Sequence, residues 1–150
     1  MKEFKKILFP LDLSESSPKI APVVAGVATK FGARIHLLFV ARIFEYFSTI
    51  YVPPNSINQL EKNITEGAKK KLYEFADEYF RDFPGTQTAV VSGDPAEEII
   101  GFVQSQGIDL VIMGTHGRKG LDKVMFGSVA ERVIKSSPVP VLVVNPHKIE

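Results

Sequence analysis

The sequence predicts an α/β fold in which a parallel β-sheet lies between two layers of helices. Strand-like and helix-like segments alternate along the whole chain, which is the pattern of β-α-β units. Several strand-like segments are apolar at nearly every position, as expected for strands that are buried on both faces. The chain has 150 residues, which is enough for one domain with a substantial core. We therefore expect residues 1–150 to form a single domain around an open, twisted sheet.

Two strands and two helices are predicted in the first half of the chain. The dipeptide Ser17-Pro18 predicts a helix start, because serine caps helix N-termini and proline suits the first helical position. The second helix has an apolar stripe at helical spacing and is interrupted by Phe83-Pro84-Gly85. The predicted elements are a strand at Ile7–Phe9, a helix from Ser17 to Gly32, a strand at Arg34–Ala41 and a helix from about Ser56 to Tyr79.

Three strands and two helices are predicted in the second half. The segment Asp94-Pro95-Ala96-Glu97 is a strong helix start, with an acceptor at the N-cap, proline next and a carboxylate at the third position. The remaining predicted elements are a strand at Thr86–Val91, the helix that ends at Gly107, a strand at Ile108–Met113, a helix from about Ser128 and a strand at Val139–Val144.

A set of glycines lies between the fourth predicted strand and the last predicted helix. Gly114, Gly117 and Gly127-Ser128 follow the spacing Gly-x2-Gly-x9-Gly-Ser. Bare backbone N–H groups and a helix N-terminus together favour an anion, so the pattern predicts a site for a phosphorylated ligand. The chain contains no Gly-Lys dipeptide, which excludes the Gly-x4-Gly-Lys-Ser/Thr phosphate loop. The alternative is that these glycines only permit turns.

These glycines and several other segments resemble the ATP-binding branch of the universal stress protein family. The similar segments include Ile7–Ser16, Leu37–Val40, Gly93-Asp94-Pro95 and Pro138–Val144, so the resemblance covers nearly the whole chain. It implies a Rossmann-like, adenine nucleotide alpha hydrolase-like fold with strand order 3-2-1-4-5. That order would place the ends of the first and fourth strands side by side, where parallel sheets bind their ligands.

The resemblance also implies ATP as the ligand, with Mg²⁺ held mainly through its phosphates. Asp12 would accept hydrogen bonds from the ribose or the adenine; alternatively, it makes a local turn or caps the next helix. Val40 and Met113 would be apolar walls for the base, although both also suit a plain core. Arg118 would neutralise phosphate charge or face solvent. The expected ligand-binding residues are Pro10, Leu11, Asp12, Leu13, Val40, Met113, Gly114, His116, Gly117, Arg118, Gly127, Ser128 and Val129.

Composition argues against several other classes of protein. The net charge is +1, from 18 basic and 17 acidic residues, so no nucleic-acid partner is expected. The chain has no cysteine, which excludes disulfides and thiolate chemistry. No run of about 18 apolar residues occurs, and the N-terminus lacks a signal-peptide core, so we expect a cytoplasmic protein without a membrane span.

The sequence favours nucleotide binding over catalysis, because no nucleophile-base pair, metal cluster or carboxylate dyad is evident. We expect a stress-response or regulatory protein in which bound ATP stabilises a conformation or an assembly. The alternatives are a slow ATPase or phosphotransfer protein that uses Ser128 or Thr115, and a dimeric scaffold whose nucleotide is structural. A homodimer is expected through the strand Val141–Val144. In the long connection Arg42–Asn55, the aromatic part Phe44–Tyr51 is expected to become more protected from hydrogen exchange when nucleotide binds; alternatively, it simply folds back over the edge of the core.

Overall fold

The computed structural model describes residues 3–42, 53–115 and 127–149, and the fold is given for these residues. Its strands are β1 (Lys6–Pro10), β2 (Arg34–Ala41), β3 (Gln87–Ser92), β4 (Leu110–Gly114) and β5 (Val141–Val144). All neighbouring strands are parallel, and their order across the sheet is β3-β2-β1-β4-β5. The parallel sheet and the expected order 3-2-1-4-5 are therefore confirmed.

Helices alternate with the strands along the described chain. They are α1 (Ser17–Phe31), α2 (Pro54–Tyr79), α3 (Pro95–Gln106) and α4 (Ser128–Ser136). None of these helices is long and apolar enough to cross a membrane.

The two faces of the sheet are covered by different pairs of helices. On β1, Ile7 and Phe9 point to one face and pack in a core that includes Val24 of α1 and Leu72 of α2. Leu8 points to the opposite face, where its core includes residues of α3 and α4. This alternation follows from the two-residue period of a strand. The result is the expected three-layer arrangement.

Several element boundaries differ from the sequence-based expectation. Helix α2 begins at Pro54 rather than at Ser56, because proline is compatible with the first helical turn. Ser17 is the first residue of α1 rather than its N-cap; Ser16 takes that place, and its side chain makes no capping hydrogen bond. The expected loop Arg42–Asn55 is therefore shorter at its end, since its last two residues are helical.

The last three strands also begin later than expected. Thr86 belongs to the turn before β3, because its N–H and hydroxyl both donate to the carbonyl of Phe83. Ile108 lies just beyond α3 and is tied to its last turn, since its N–H donates to the carbonyl of Val103. Strand β5 starts after Pro140, which has no N–H to donate to a ladder.

Candidate functional site

The candidate site lies at the carboxyl ends of β1 and β4, where the strand order reverses. Strand β1 feeds a connection to β2 on one side, while β4 is its neighbour on the other. The register pairs Ile7 with Leu110 and Leu8 with Val111. Asp12 follows β1 by two residues, and Thr115 directly follows β4. The polar segment after β1 (residues 11–16) and the glycine segment at the end of β4 (residues 114–127) therefore begin at the same edge of the sheet. This edge holds the crevice where open α/β sheets bind ligands.

Asp12 organises the turn that follows β1. Its Oδ1 accepts a hydrogen bond from the backbone N–H of Ser14 at 3.0 Å and one from the Ser17 hydroxyl at 3.5 Å. The local role that the sequence left open for Asp12 is thus present in the structure. A carboxylate has two oxygens with several acceptor positions, so this turn is compatible with a further hydrogen bond to a ligand.

The same turn contains a strained residue. Leu13 has a φ of +60°, in the left-handed region that costs a branched side chain roughly 1–2 kcal/mol. The residues before it are held firmly, because Pro10 and Leu11 are buried and the Leu11 N–H donates to the carbonyl of Leu38 at 3.0 Å. Strain of this kind is concentrated at functional sites in proteins. It supports the choice of this edge as the site.

The glycine segment is closed at its base. The backbone N–H of Gly127 donates to the carbonyl of Thr115 at 2.7 Å, and the Thr115 N–H donates to the carbonyl of Val144 at 2.9 Å. Helix α4 begins at the next residue, Ser128, which is exposed. The N-cap position of α4 is Gly127, which has no side chain, and no side chain of the described residues caps this helix. The N-terminus of α4 is therefore placed beside the end of β4, with its first-turn N–H groups left uncapped by that part of the chain.

The two expected apolar walls are core residues in the structure. Met113 is buried and Val40 is half-buried, and both pack in the core between the sheet and helices α3 and α4. Both side chains therefore fit the alternative interpretation, that they are ordinary core residues. Val40 is nevertheless near the carboxyl end of β2, the strand next to β1.

The structure brings together most of the expected site but does not describe all of it. Three short segments meet at the carboxyl edge: Pro10–Leu13, Met113–Gly114 and Gly127–Val129. His116, Gly117 and Arg118 lie outside the described residues, as does most of the Arg42–Asn55 connection. Within the described ranges, no three His, Asp or Glu side chains converge as a metal site.

One contact near the site was missed by the sequence interpretation. Asp94 was expected only as an N-cap, and it does accept from the backbone N–H of Glu97 at 3.0 Å. Its other oxygen accepts from Arg132 Nη1 at 2.9 Å. The hydrogen bond from Arg132, and to a lesser extent that from Glu97, lowers the pKa of Asp94 from its ordinary value. No local pattern links residues 38 positions apart, so the sequence carried no signal for this pair.

The profile of the Universal stress protein family matches residues 3–145. This chain belongs to the universal stress protein family. It is 34% identical over 151 residues to universal stress protein MJ0531 of Methanocaldococcus jannaschii, an alignment that covers 98% of this chain and 85% of that protein. The solved structure of MJ0577 from the same organism superimposes with a TM-score of 0.82 at 36% identity and covers 96% of this chain and 97% of that one.

Two more distant structures have the same fold. A universal stress protein in complex with cAMP has a TM-score of 0.68 at 18% identity and covers 97% of this chain and 99% of its own. The universal stress protein from Archaeoglobus fulgidus in complex with dAMP has a TM-score of 0.65 at 17% identity, with coverage of 96% and 100%. The family and its Rossmann-like α/β fold are thus established for this chain.

Proposed function

We propose that this universal stress protein binds ATP at the carboxyl edge of β1 and β4 and acts as a regulatory protein of the stress response. In this proposal the bound nucleotide stabilises one conformation or assembly of the protein. The observation that supports it is the Gly127–Thr115 hydrogen bond, which holds the N-terminus of α4 at the end of β4, while the Asp12 turn follows the neighbouring strand β1. An anion-binding helix end and a carboxylate then lie at one edge.

The phosphates would lie against the start of α4. Backbone N–H groups of Ser128 and Val129, the Ser128 hydroxyl and the positive end of the helix dipole all favour a negative ligand there. Gly114 lets the chain leave β4 without a side chain at that point. Gly117, His116 and Arg118 belong to the same connection by sequence, and we propose that they complete the phosphate site.

The nucleoside would lie over the ends of β1 and β2. Asp12 is the expected acceptor for ribose or adenine donors, and the backbone of Pro10, Leu11 and Leu13 would line the same crevice. The ends of β2 and β4, at Val40 and Met113, would border the base. The fold is compatible with an adenine nucleotide, since it holds cAMP in one relative and dAMP in another.

Magnesium is proposed as a partner of the triphosphate rather than of the protein. Mg²⁺ retains several waters and is commonly held through one or two carboxylates together with substrate phosphates. The described residues offer no cluster of three acidic or histidine side chains, so phosphate oxygens would supply most of the ligands. We further propose a cytoplasmic location, where ATP and Mg²⁺ are both abundant.

A regulatory role is favoured over ATP hydrolysis or phosphotransfer. Thr115 is buried, with its backbone N–H and carbonyl both used in hydrogen bonds that hold the loop base. Ser128 is exposed, but it lies at the first position of α4, where it is better placed to bind phosphate than to be activated by a base. A slow ATPase remains the second candidate, and it is tested below.

We also propose a homodimer through β5. This strand pairs with β4 on one side only, so its other edge presents unpaired backbone groups within the described structure. Leu142 of β5 is 39% exposed, which is unusual for a leucine in a strand of this sheet. A second copy of β5 across a two-fold axis would pair the edge and cover Leu142 with one self-complementary patch.

The proposal is tested on purified protein. Nucleotide released by denaturation is identified by ion-pair chromatography, and MgATP binding is measured by isothermal titration calorimetry. Wild type should bind ATP, whereas Gly127→Asp should not. ADP formation by wild type above that of Gly127→Asp would favour the slow ATPase instead. If wild type releases no nucleotide and gives no heat with MgATP, the proposed function is wrong.

A further inference from the structure

An ion pair links the N-terminus of α3 to the middle of α4. Arg132 Nη1 of α4 donates to Asp94 Oδ1 at 2.9 Å. Asp94 Oδ2 accepts from the backbone N–H of Glu97 in the first turn of α3. One carboxylate therefore caps α3 and holds a side chain of α4 at the same time. Two other ion pairs of the described residues, Arg81–Asp77 and Lys135–Glu131, are local i,i+4 pairs and join no separate elements.

The carboxylate end of this link is fixed by the turn before α3. Gly93 has a φ of +148°, and its N–H donates to the carbonyl of Ala41 at the end of β2 at 3.0 Å. A Cβ at Gly93 would lie 2.7 Å from the carboxylate of Glu98, so a side chain does not fit there without a shift. The next residues, Asp94 as N-cap and the buried Pro95, are therefore held against the sheet.

The arginine end of the link is on the helix that begins at the proposed phosphate site. Arg132 follows Ser128 by four residues, so the two lie on one face of α4. Ala130 and Val133 hold the helix against the core by apolar contacts. Such contacts resist separation but are non-directional, so they allow a helix to rotate or tilt slightly. The directional hydrogen bond from Arg132 to Asp94 restrains rotation and tilt of α4, and it acts on the helix face that carries Ser128.

We propose that Asp94 and Arg132 are positioning residues for the phosphate-binding end of α4. Their ion pair holds the helix at the angle that presents Ser128 and the first-turn N–H groups to the phosphates. This inference rests on the proposed function, because the angle of α4 affects binding only if phosphates lie at its N-terminus. The pair acts through α4 and is not itself assigned a contact with the ligand.

The positioning role and a simple effect of charge predict opposite results at Asp94. Removal of a negative charge near an anion site strengthens anion binding if only long-range electrostatics matters. Loss of positioning weakens binding instead. Asp94→Asn is the suitable change, because asparagine caps helices about as well as aspartate and therefore preserves the start of α3. It removes the charge that attracts Arg132.

The experiment compares MgATP and adenosine binding by calorimetry for four variants and wild type. They are Asp94→Asn, Arg132→Gln, the double variant and Lys135→Gln, which removes a cation of α4 whose ion pair stays within that helix. Thermal unfolding of each variant verifies that it is folded. Asp94→Asn and Arg132→Gln should each weaken ATP binding about two- to fivefold, the range of an exposed ion pair. The double variant should lose no more than either single variant.

Adenosine separates positioning from a general structural defect. It has no phosphate, so its affinity should be the same in all four variants and wild type, and Lys135→Gln should bind ATP like wild type. ATP binding by Asp94→Asn that equals or exceeds that of wild type would overturn the inference. So would equal losses in Arg132→Gln and Lys135→Gln, or additive losses in the double variant. A wild-type protein that does not bind ATP overturns the proposed function itself, before any variant is compared.

Discussion

The backbone N–H of Gly127 donates to the carbonyl oxygen of Thr115 at 2.7 Å and joins the two ends of the glycine segment. The contact is close enough that a Cβ added to Gly127 would lie 3.0 Å from the same carbonyl oxygen. Gly127 is also the N-cap of α4, with a φ of −49° that other residues adopt without strain. Its importance therefore comes from the space around it rather than from an unusual backbone conformation.

Gly127→Asp should weaken MgATP binding by at least about tenfold, or roughly 1.4 kcal/mol, while the protein stays folded. Aspartate is a good N-cap, so its carboxylate would occupy the N–H groups of α4 that we assign to phosphate. Calorimetry and circular dichroism measure the two effects. Gly101→Ala is the matched control, because a Cβ there meets no atom within 4 Å. Equal ATP affinity of Gly127→Asp and wild type would show that the phosphates do not bind at this helix end.

Asp12→Ala should weaken ATP binding about ten- to a hundredfold, as expected for one lost charge-assisted hydrogen bond of ~1.5–3 kcal/mol. The substitution also removes the acceptor of the Ser14 N–H, so part of the loss could come from the turn. Asp12→Asn separates these effects, because its amide oxygen retains that acceptor. Inorganic triphosphate should bind both variants like wild type. ATP affinity that drops with alanine and recovers fully with asparagine would leave Asp12 as a turn residue alone.

His36 should make the fold less stable in mild acid. The ring is 3% exposed, and Nε2 has no hydrogen-bond partner among the described residues. Burial, followed by the nearby charges of Lys6 and Arg34, lowers the pKa of His36 from its ordinary value of 6.5. His36 therefore binds a proton more tightly in the unfolded chain than in the folded chain. The free energy of unfolding is highest above pH 6.5 and decreases as the pH falls below it, until the folded-state pKa is reached.

Urea unfolding between pH 7.5 and 5 measures this dependence. For one titrating group the slope is at most about 1.4 kcal/mol per pH unit. His36→Leu should flatten the curve, because leucine does not titrate. His147→Gln is the control, since His147 is exposed in the C-terminal segment. A His36→Leu curve that runs parallel to that of wild type would show that another group controls the acid response.

Leu142→Glu should convert the proposed dimer into a monomer. A glutamate on the free edge of β5 would place two like charges across the two-fold axis and remove the apolar contact of Leu142. Light scattering at tens of micromolar measures the mass. Tyr73→Glu is a suitable control, because Tyr73 is 70% exposed on α2. This helix packs on β2 and β3, near the sheet edge opposite to β5. Wild type that is already monomeric under these conditions would contradict the dimer.

Local patterns in the amino-acid sequence determined much of the fold. The apolar runs predicted strands buried on both faces, and Asp94-Pro95 marked the start of α3 at the observed residue. These predictions succeeded because capping, proline geometry and strand burial depend on a few neighbouring residues. The predictions were least accurate where neighbours compete, as at Thr86, which joins a turn although its β-branched side chain favours a strand.

Tertiary structure alone decided which segments meet. The strand order came from the family resemblance rather than from any residue pattern, and it places the segments that follow β1 and β4 at neighbouring strand ends. The ion pair between Asp94 and Arg132 depends on the same packing, since α3 and α4 must first cover one face of the sheet. Contacts between residues distant in sequence depend on how whole elements pack, and no local pattern encodes them. The chain's motifs thus predicted its elements and a phosphorylated ligand, whereas packing determined which segments lie at the proposed site.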